Sequence, residues 1–217
     1  VYESVIGQAN ATDGNGTHLF GGYKDSSEPF IRESDGTVKY VGDENTRQQR
    51  IDSSRLMNVA ENGKTIFQSA PKGSSVIAEA ASDNDGSVTF DGPRIVDADN
   101  LKQGEKYEIR LYTSGSFEVF DSNDDKVVGK PAGTIQEDES TQISFGGISI
   151  DLQGTPPTVD GDTIEVGSAD QINTDLFKTF EKALNVLEAP AGTDQEQARL
   201  DNTLKTVMRE FDNSLDN

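Results

Sequence analysis

The apolar residues nearest the C-terminus recur at the spacing of an α-helix, and this pattern constrains the fold more than any other feature of the sequence. One helix face collects Leu200, Leu204, Val207, Met208, Phe211 and Leu215. Upstream, Thr193 and Glu196 have the spacing of a capping box, in which each side chain accepts a hydrogen bond from a free backbone N–H group. The sequence therefore predicts a long helix that begins near Thr193 and buries one face.

A second amphipathic helix is predicted just before the first. Its apolar positions are Leu176, Phe177, Phe180, Ala183, Leu184 and Leu187. Asn173 or Thr174 is suited to cap its N-terminus. The join between the two helices contains Pro190 and Gly192, which break helical structure and favour an antiparallel helical hairpin.

Residues 1–9 have the apolar spacing of the last turns of a third helix, with Val5 on its apolar face. We expect Leu204, Val207 and Phe211 to pack against Val5 and the 176–187 helix. Any remaining apolar stripe would be available to further helices. Neither Gly nor a basic cluster follows Leu215, so the sequence lacks the usual signals for a helix end there. We therefore expect the last helix to continue beyond this sequence, and the chain to be a core fragment of a longer protein.

The segment between residues 10 and 70 combines turn signals with short apolar runs. Its Asp13-Gly14 and Asn15-Gly16 pairs predict a tight reversal with positive φ. Residues 17–23 and 37–41 are predicted strands, and residues 34–36 a turn that leads into the second of them. Residues 48–59 are predicted to be extended, and residues 61–69 to form a short helix around Ile66 and Phe67.

From residue 71 the sequence alternates short apolar runs with Gly and Asp at intervals typical of an all-β module. The best strands are 107–111, 117–119, 143–145, 148–152 and 163–166, each with one face expected in a core and one in water. The fold class is therefore predicted to be α+β. An outer all-β domain of residues 71–170 is inserted into a helical and β-hairpin core domain of residues 1–70 and 171–217.

The composition disfavours most catalytic and nucleic-acid functions. The chain has no Cys, one His, and a formal charge of −20 from 19 basic and 39 acidic residues. Such a surface repels nucleic acid and anionic membranes, and the residues for thiolate or multi-histidine chemistry are absent. Asp121, Asn123 and Asp125 have the first spacings of a calcium loop, but Lys126 and Ala132 occupy positions that need Gly and Glu. We expect no enzyme activity, metal or cofactor.

Three segments resemble the flagellin-like family of flagellar hook-filament junction proteins. The most specific is the run 10–23, in which a helix ends in a turn carrying Asp13 and Gly14 and is followed by Phe20, Gly22 and Tyr23. The run 63–69, which contains Ile66 and Phe67, is similar to the family's G-x-x-I-F segment. Residues 161–166 resemble its G-D-x-F-x-V strand, with Ile164 replacing the usual Phe, and the helix of residues 176–188 follows. The matches cover residues 1–70 and 161–217.

The resemblance implies a structural subunit that joins hook to filament, packing in a ring of identical subunits and against hook-associated and flagellin-type proteins. It also implies an export chaperone for the full-length protein, secretion through the flagellar export apparatus and an extracellular location on the flagellum. The helices that build the inner tube of the family are not in this sequence, so the fragment is expected to be monomeric. The alternative is a secreted acidic β module of the adhesin-like or glycan-binding kind.

Overall fold

The computed structural model describes residues 1–52, 55–69, 76–102, 104–127, 132–136 and 139–215. It mixes helix and sheet, as the α+β prediction required. By internal contacts the chain divides into one unit of residues 1–70 and 175–181 and a second unit of residues 71–174 and 182–217.

The first unit consists of short helices and two β-hairpins. Its elements are α1 (Tyr2–Ala9), β1 (Phe30–Arg32), β2 (Val38–Tyr40), β3 (Arg47–Arg50), β4 (Leu56–Ala60), α2 (Gly63–Phe67) and the first half of α4 (Leu176–Glu188). Strands β1 and β2 pair antiparallel, and so do β3 and β4. The predicted helices at residues 1–9 and 61–69 and the strand at 37–41 are confirmed. The extended region 48–59 is a hairpin rather than one strand.

An aromatic cluster forms the core of this first unit. Phe30 and Phe177 are completely buried, and their ring centroids lie 5.1 Å apart. Tyr40 packs on Phe30 at 5.0 Å, and Phe67 packs on both Phe30 and Phe177. Because Phe177 belongs to α4, the cluster packs this helix against the β1–β2 hairpin and against α2.

The predicted strand at residues 17–23 is wrong. The segment contains turns rather than a strand ladder. Its backbone hydrogen bonds run from the His18 N–H group to the Asp25 carbonyl and from the Leu19 N–H group to the Ala11 carbonyl. Gly22 adopts φ +63°, and a Cβ atom there would lie 2.3 Å from the Asp43 carbonyl oxygen. A left-handed residue pressed against a neighbouring backbone ends any regular strand.

The second unit is built on two antiparallel sheets. Its elements are β5 (Val76–Ala80), β6 (Thr89–Ile95), β7 (Lys106–Leu111), β8 (Ser116–Phe120), β9 (Ala132–Thr134), β10 (Thr141–Phe145), β11 (Ile148–Gln153), β12 (Asp162–Ser168), α3 (Ala169–Ile172), the second half of α4, and α5 (Asp194–Leu215). One sheet has the strand order β5-β12-β7-β8-β9 and the other β10-β11-β6.

Alternating side chains of the two sheets form one apolar core. Along β7 and β8 every second residue is buried, and Ile109, Val119, Ile150 and Ile164 have no exposed surface. This is the pattern predicted for strands with one face in a core. Strands β5, β6 and β9 were not predicted. Helix α5 packs on β5 and β6 and belongs to the second contact unit. The domain boundaries 1–70, 71–170 and 171–217 stay a prediction.

Helix α5 begins with the predicted capping box. The Glu196 N–H group donates to Thr193 Oγ1 at 3.2 Å, and Glu196 Oε2 accepts from the Thr193 N–H group at 2.9 Å. For α4 the predicted caps Asn173 and Thr174 are wrong, because Asp175 Oδ1 accepts from the Phe177 N–H group at 2.9 Å. Burial raises the pKa of Asp175, since desolvation outweighs the hydrogen bonds that it accepts.

Helix α5 is attached to the strands through polar side chains. The Asn202 carboxamide accepts from the Phe90 N–H group at 3.1 Å and donates to the Val88 carbonyl at 2.9 Å. Thr206 Oγ1 donates to the Ala78 carbonyl at 2.7 Å, and Lys205 Nζ donates to the Phe90 carbonyl at 2.8 Å. The helix therefore satisfies strand-edge groups that would otherwise be buried without partners.

The first prediction concerns the aromatic core. Replacing Phe177 with Ala should lower the free energy of unfolding by about 3–5 kcal/mol, because the cavity left among Phe30, Phe67 and Tyr2 cannot close fully. Urea unfolding followed by circular dichroism measures the change. The control Tyr23→Ala removes a ring that is 61% exposed and should stay within about 0.5 kcal/mol. Equal losses in the two variants would contradict the proposed core.

The second prediction concerns the polar attachment of α5. Replacing Asn202 with Leu should cost about 1–3 kcal/mol for each strand group left unpaired, even though the change makes the helix more apolar. Thermal unfolding of the variant measures this loss. Met208→Leu on the same helix is the control, since Met208 is 65% exposed and should be neutral to replace. A stabilised Asn202→Leu variant would show that the hydrogen bonds are not needed.

Candidate functional site

The turn motif that carries the family resemblance forms a compact arrangement in the first unit. Asp13 Oδ1 accepts from the N–H groups of Asn15 and Thr17 at 2.8 and 3.0 Å. Of the two glycines in this turn, Gly16 has a positive φ of 81°, whereas Gly14 does not, so the predicted reversal needs its glycine at only one position.

The same motif continues into a ring contact. The rings of Phe20 and Phe67 meet edge to face with centroids 5.4 Å apart, and the Phe20 carbonyl accepts from the Gly63 N–H group at 2.9 Å. Two predicted motif residues instead face solvent, since Tyr23 is 61% and Ile66 45% exposed. Part of the motif therefore supports the fold, and part lies on the surface.

The predicted interface residues of α1 and α4 differ in exposure. Val5, Leu176 and Phe180 are half-buried, and Val5 and Phe180 pack against the aromatic core of the first unit. Leu184 and Leu187, in the second unit, are 39% and 63% exposed. The apolar face of α4 is thus covered at the start of the helix and open towards its end.

On α5 the buried residues include several polar side chains in addition to part of the apolar stripe. The residues buried along it are Ala198, Asn202, Thr206, Val207, Glu210 and Asn213. Among the predicted residues whose burial the structure describes, Val207 is buried, Leu200, Leu204 and Phe211 are half-buried and Met208 is exposed. Leu215 is the last residue of the helix. Polar side chains, rather than the apolar stripe, make the hydrogen bonds from α5 to β5 and β6. The expected packing of Leu204 and Phe211 stays a prediction.

A partly buried ion pair network adds to this polar attachment. Lys182 Nζ lies 2.7 Å from Glu79 Oε1 and 3.0 Å from Glu210 Oε1, and the Glu210 side chain is 2% exposed. Burial alone would lower the pKa of Lys182, but the two carboxylates outweigh it and raise that pKa above its ordinary value. Lys182 therefore stays charged between the end of α4, strand β5 and helix α5.

The sequence analysis did not identify this small and polar face of α5, although the sequence contains a signal for it. Ala198, Asn202, Thr206, Glu210 and Asn213 recur at helical spacing on the side of α5 away from Leu204. Small and hydrogen-bonding residues at that spacing mark a helix face that packs on strand edges rather than on an apolar core.

The acidic loop that resembled a calcium site is a turn stabilised by its own backbone. Asp121 Oδ1 accepts from the N–H groups of Asn123 and Asp125 at 2.9 and 3.1 Å, and Asp124 has φ +64°. Within the described ranges no group of three metal-ligating side chains converges. In the same residues no helix is long and apolar enough to cross a membrane.

Comparisons with known proteins identify relatives. No family model matches the chain. Flagellar hook-associated protein 3 of Escherichia coli strain K12 is 36% identical over 87 residues, which is 40% of this chain and 25% of the relative. Its counterpart from Salmonella typhimurium is 38% identical over 69 residues, or 32% of this chain and 21% of that relative. The sequence match thus spans a quarter or less of each curated relative.

Solved structures with a similar fold include proteins of the same name. The crystal structure of FlgL from Xanthomonas campestris has a TM-score of 0.76 and 27% identity, covering 99% of this chain and 69% of that one. The sequence and structural matches together confirm the family resemblance. The chain is homologous to flagellar hook-associated protein 3, FlgL.

Proposed function

We propose that the chain is a structural subunit of the bacterial flagellum that joins hook to filament. The relatives are flagellar proteins, which supports a structural role at the exposed surface of the cell. The observation that carries the proposal is the exposure of Leu187 and Met208, while α5 attaches to its own strands through polar groups. Apolar helix faces left open in this way are suited to subunit contacts.

In this role the partners would be identical subunits in a ring, together with hook-associated and flagellin-type proteins. Neighbours around a ring meet through two different faces, so the contacts are heterologous. The chain would reach its extracellular position through the flagellar export apparatus, with an export chaperone for the full-length protein. No catalytic step is part of the proposal.

We also propose that residues 71–170 are a domain inserted into a domain of residues 1–70 and 171–217. The pairing of Val76 with Ser168 supports this, because it brings the two ends of the inserted segment side by side. The alternative of a secreted adhesin-like or glycan-binding module is not favoured, since the relatives found are flagellar.

The third prediction tests the exposed apolar residues in the motile bacterium that encodes the chain. Replacing Leu187 and Met208 together with Asp should release flagellin into the medium and abolish swimming. Each added charge would have to be buried without a partner in a subunit contact, which is strongly unfavourable. Flagellin in the medium and on the cells is quantified by immunoblotting.

The matched control is Val159→Asp, which places a charge on an apolar residue that is 67% exposed outside the helices. It should leave filaments attached. All variants are checked for secretion and for unchanged thermal unfolding after purification. Attached filaments with the Leu187 and Met208 double variant, despite normal secretion, would overturn the assignment of these residues to assembly.

A further inference from the structure

A cleft lies within the second unit, and nothing in the proposed structural role uses it. Its volume is about 620 Å³, within the range of ligand sites in proteins. One wall is the end of β5 with the loop that follows it, and the other walls come from α4, the start of α5 and the segment before β6. Small side chains such as Ala80, Ala81 and Ala198 line it, which lets a ligand approach the backbone closely.

The end of β5 presents an unpaired strand edge to this cleft. The Ala81 N–H group donates to the Thr163 carbonyl of β12, so the N–H group of Ala81 faces β12. In an antiparallel pair the residues alternate, and Ala80 therefore turns its N–H and C=O groups away from β12. Thr206 confirms this alternation, because its hydroxyl reaches the outward carbonyl of Ala78. Among the described residues no group occupies the outward positions of Ala80.

A second strand edge borders the cleft, and helix α5 shows how such an edge is satisfied. The Asn202 carboxamide bonds the Val88 carbonyl and the Phe90 N–H group, as a peptide group of a neighbouring strand would. The N–H group of Val88, a residue that is 5% exposed, has no partner in the described part of the chain. The side chains of α5 thus substitute for a missing strand at some edge positions and leave others open.

The charges around the cleft indicate what a ligand should carry. Glu79 is paired with Lys182, and Glu165 with Lys106 at 2.6 Å. Arg199, exposed on the wall formed by α5, makes no salt bridge with any described residue. Arg199 also lies close enough to Glu196 to interact with that carboxylate. The cleft wall therefore carries a positive charge that no described carboxylate holds in a salt bridge.

We propose that this cleft binds an extended polypeptide segment that adds to the edge of β5 at Ala80 and places an acidic side chain against Arg199. An extended backbone supplies the alternating donors and acceptors that the edge lacks. The small wall residues select for small side chains on that segment. The inference is independent of the subunit contacts proposed above, because it uses neither Leu187 nor Met208.

The experiment is a titration of the whole chain with capped hexapeptides of alanine and serine that carry one central aspartate, followed in the amide NMR spectrum. The Ala80 and Val88 amide signals should shift, and a Kd is obtained from the shifts. The same peptide with alternate backbone amides methylated cannot pair with a strand edge and should bind at least about tenfold more weakly. A lysine in place of the aspartate should also weaken binding.

Two protein variants complete the test. Ala80→Pro removes only an outward N–H group, which an edge strand tolerates, and it should weaken binding about tenfold or more. Arg199→Gln should weaken binding about two- to fivefold, whereas Arg55→Gln, an equal charge change in the first unit, should not alter it. The proposal would be overturned if the Ala80→Pro variant bound the peptide as tightly as the unaltered chain, or if the methylated peptide bound as tightly as the unmethylated one. It would also be overturned if the Ala80 amide signal did not shift. If Ala80→Pro does not fold, the methylated peptide on the unaltered chain decides.

Discussion

The hydrogen bonds between the Asn202 carboxamide and the backbone of Val88 and Phe90 are the interaction on which the arrangement of the second unit depends. Both sheets of this unit end in strands whose outward backbone groups need partners, β5 in one sheet and β6 in the other. Leaving those groups buried and unpaired would cost more than the net gain of forming the bonds. Helix α5 supplies the partners, so its buried face has to be polar.

This requirement determines how the rest of α5 is used. When the polar side chains of a helix bond to strand edges, its apolar residues lie elsewhere on the helix. Met208 accordingly lies largely in solvent. The Lys182 network with Glu79 and Glu210 reinforces the same attachment, and its geometry holds α4 near α5 and β5. Replacing Lys182 would take this cation away from the buried Glu210 carboxylate, which is unfavourable for the packing of α5.

The sequence was sufficient for the helices and for the strands with alternating burial, but not for the packing of α5. Apolar periodicity located α5 because helix formation and face segregation follow local spacing. It could not show which face meets the same chain, since that depends on the distant edge of β6. Strand β6 escaped prediction because Gly92 and Pro93 interrupt it, and β5 because Val76, Ile77 and Ala78 form an unbroken apolar run. Residues 17–23 were predicted as a strand from their short apolar run, yet Gly22 adopts a left-handed conformation close to Asp43.

Charge and exposed apolar surface act in opposite directions in the proposed role. A subunit that keeps Leu187 and Met208 in solvent before assembly risks associating at the wrong time or place. The formal charge of −20 makes copies repel one another once their surfaces approach within about 8–10 Å, because salt screens the charges at larger separations. Short-range apolar contacts survive that screening because they are made at van der Waals distance. In the proposed role the apolar contacts would therefore have to outweigh the repulsion between acidic surfaces, and added salt would favour association by screening that repulsion.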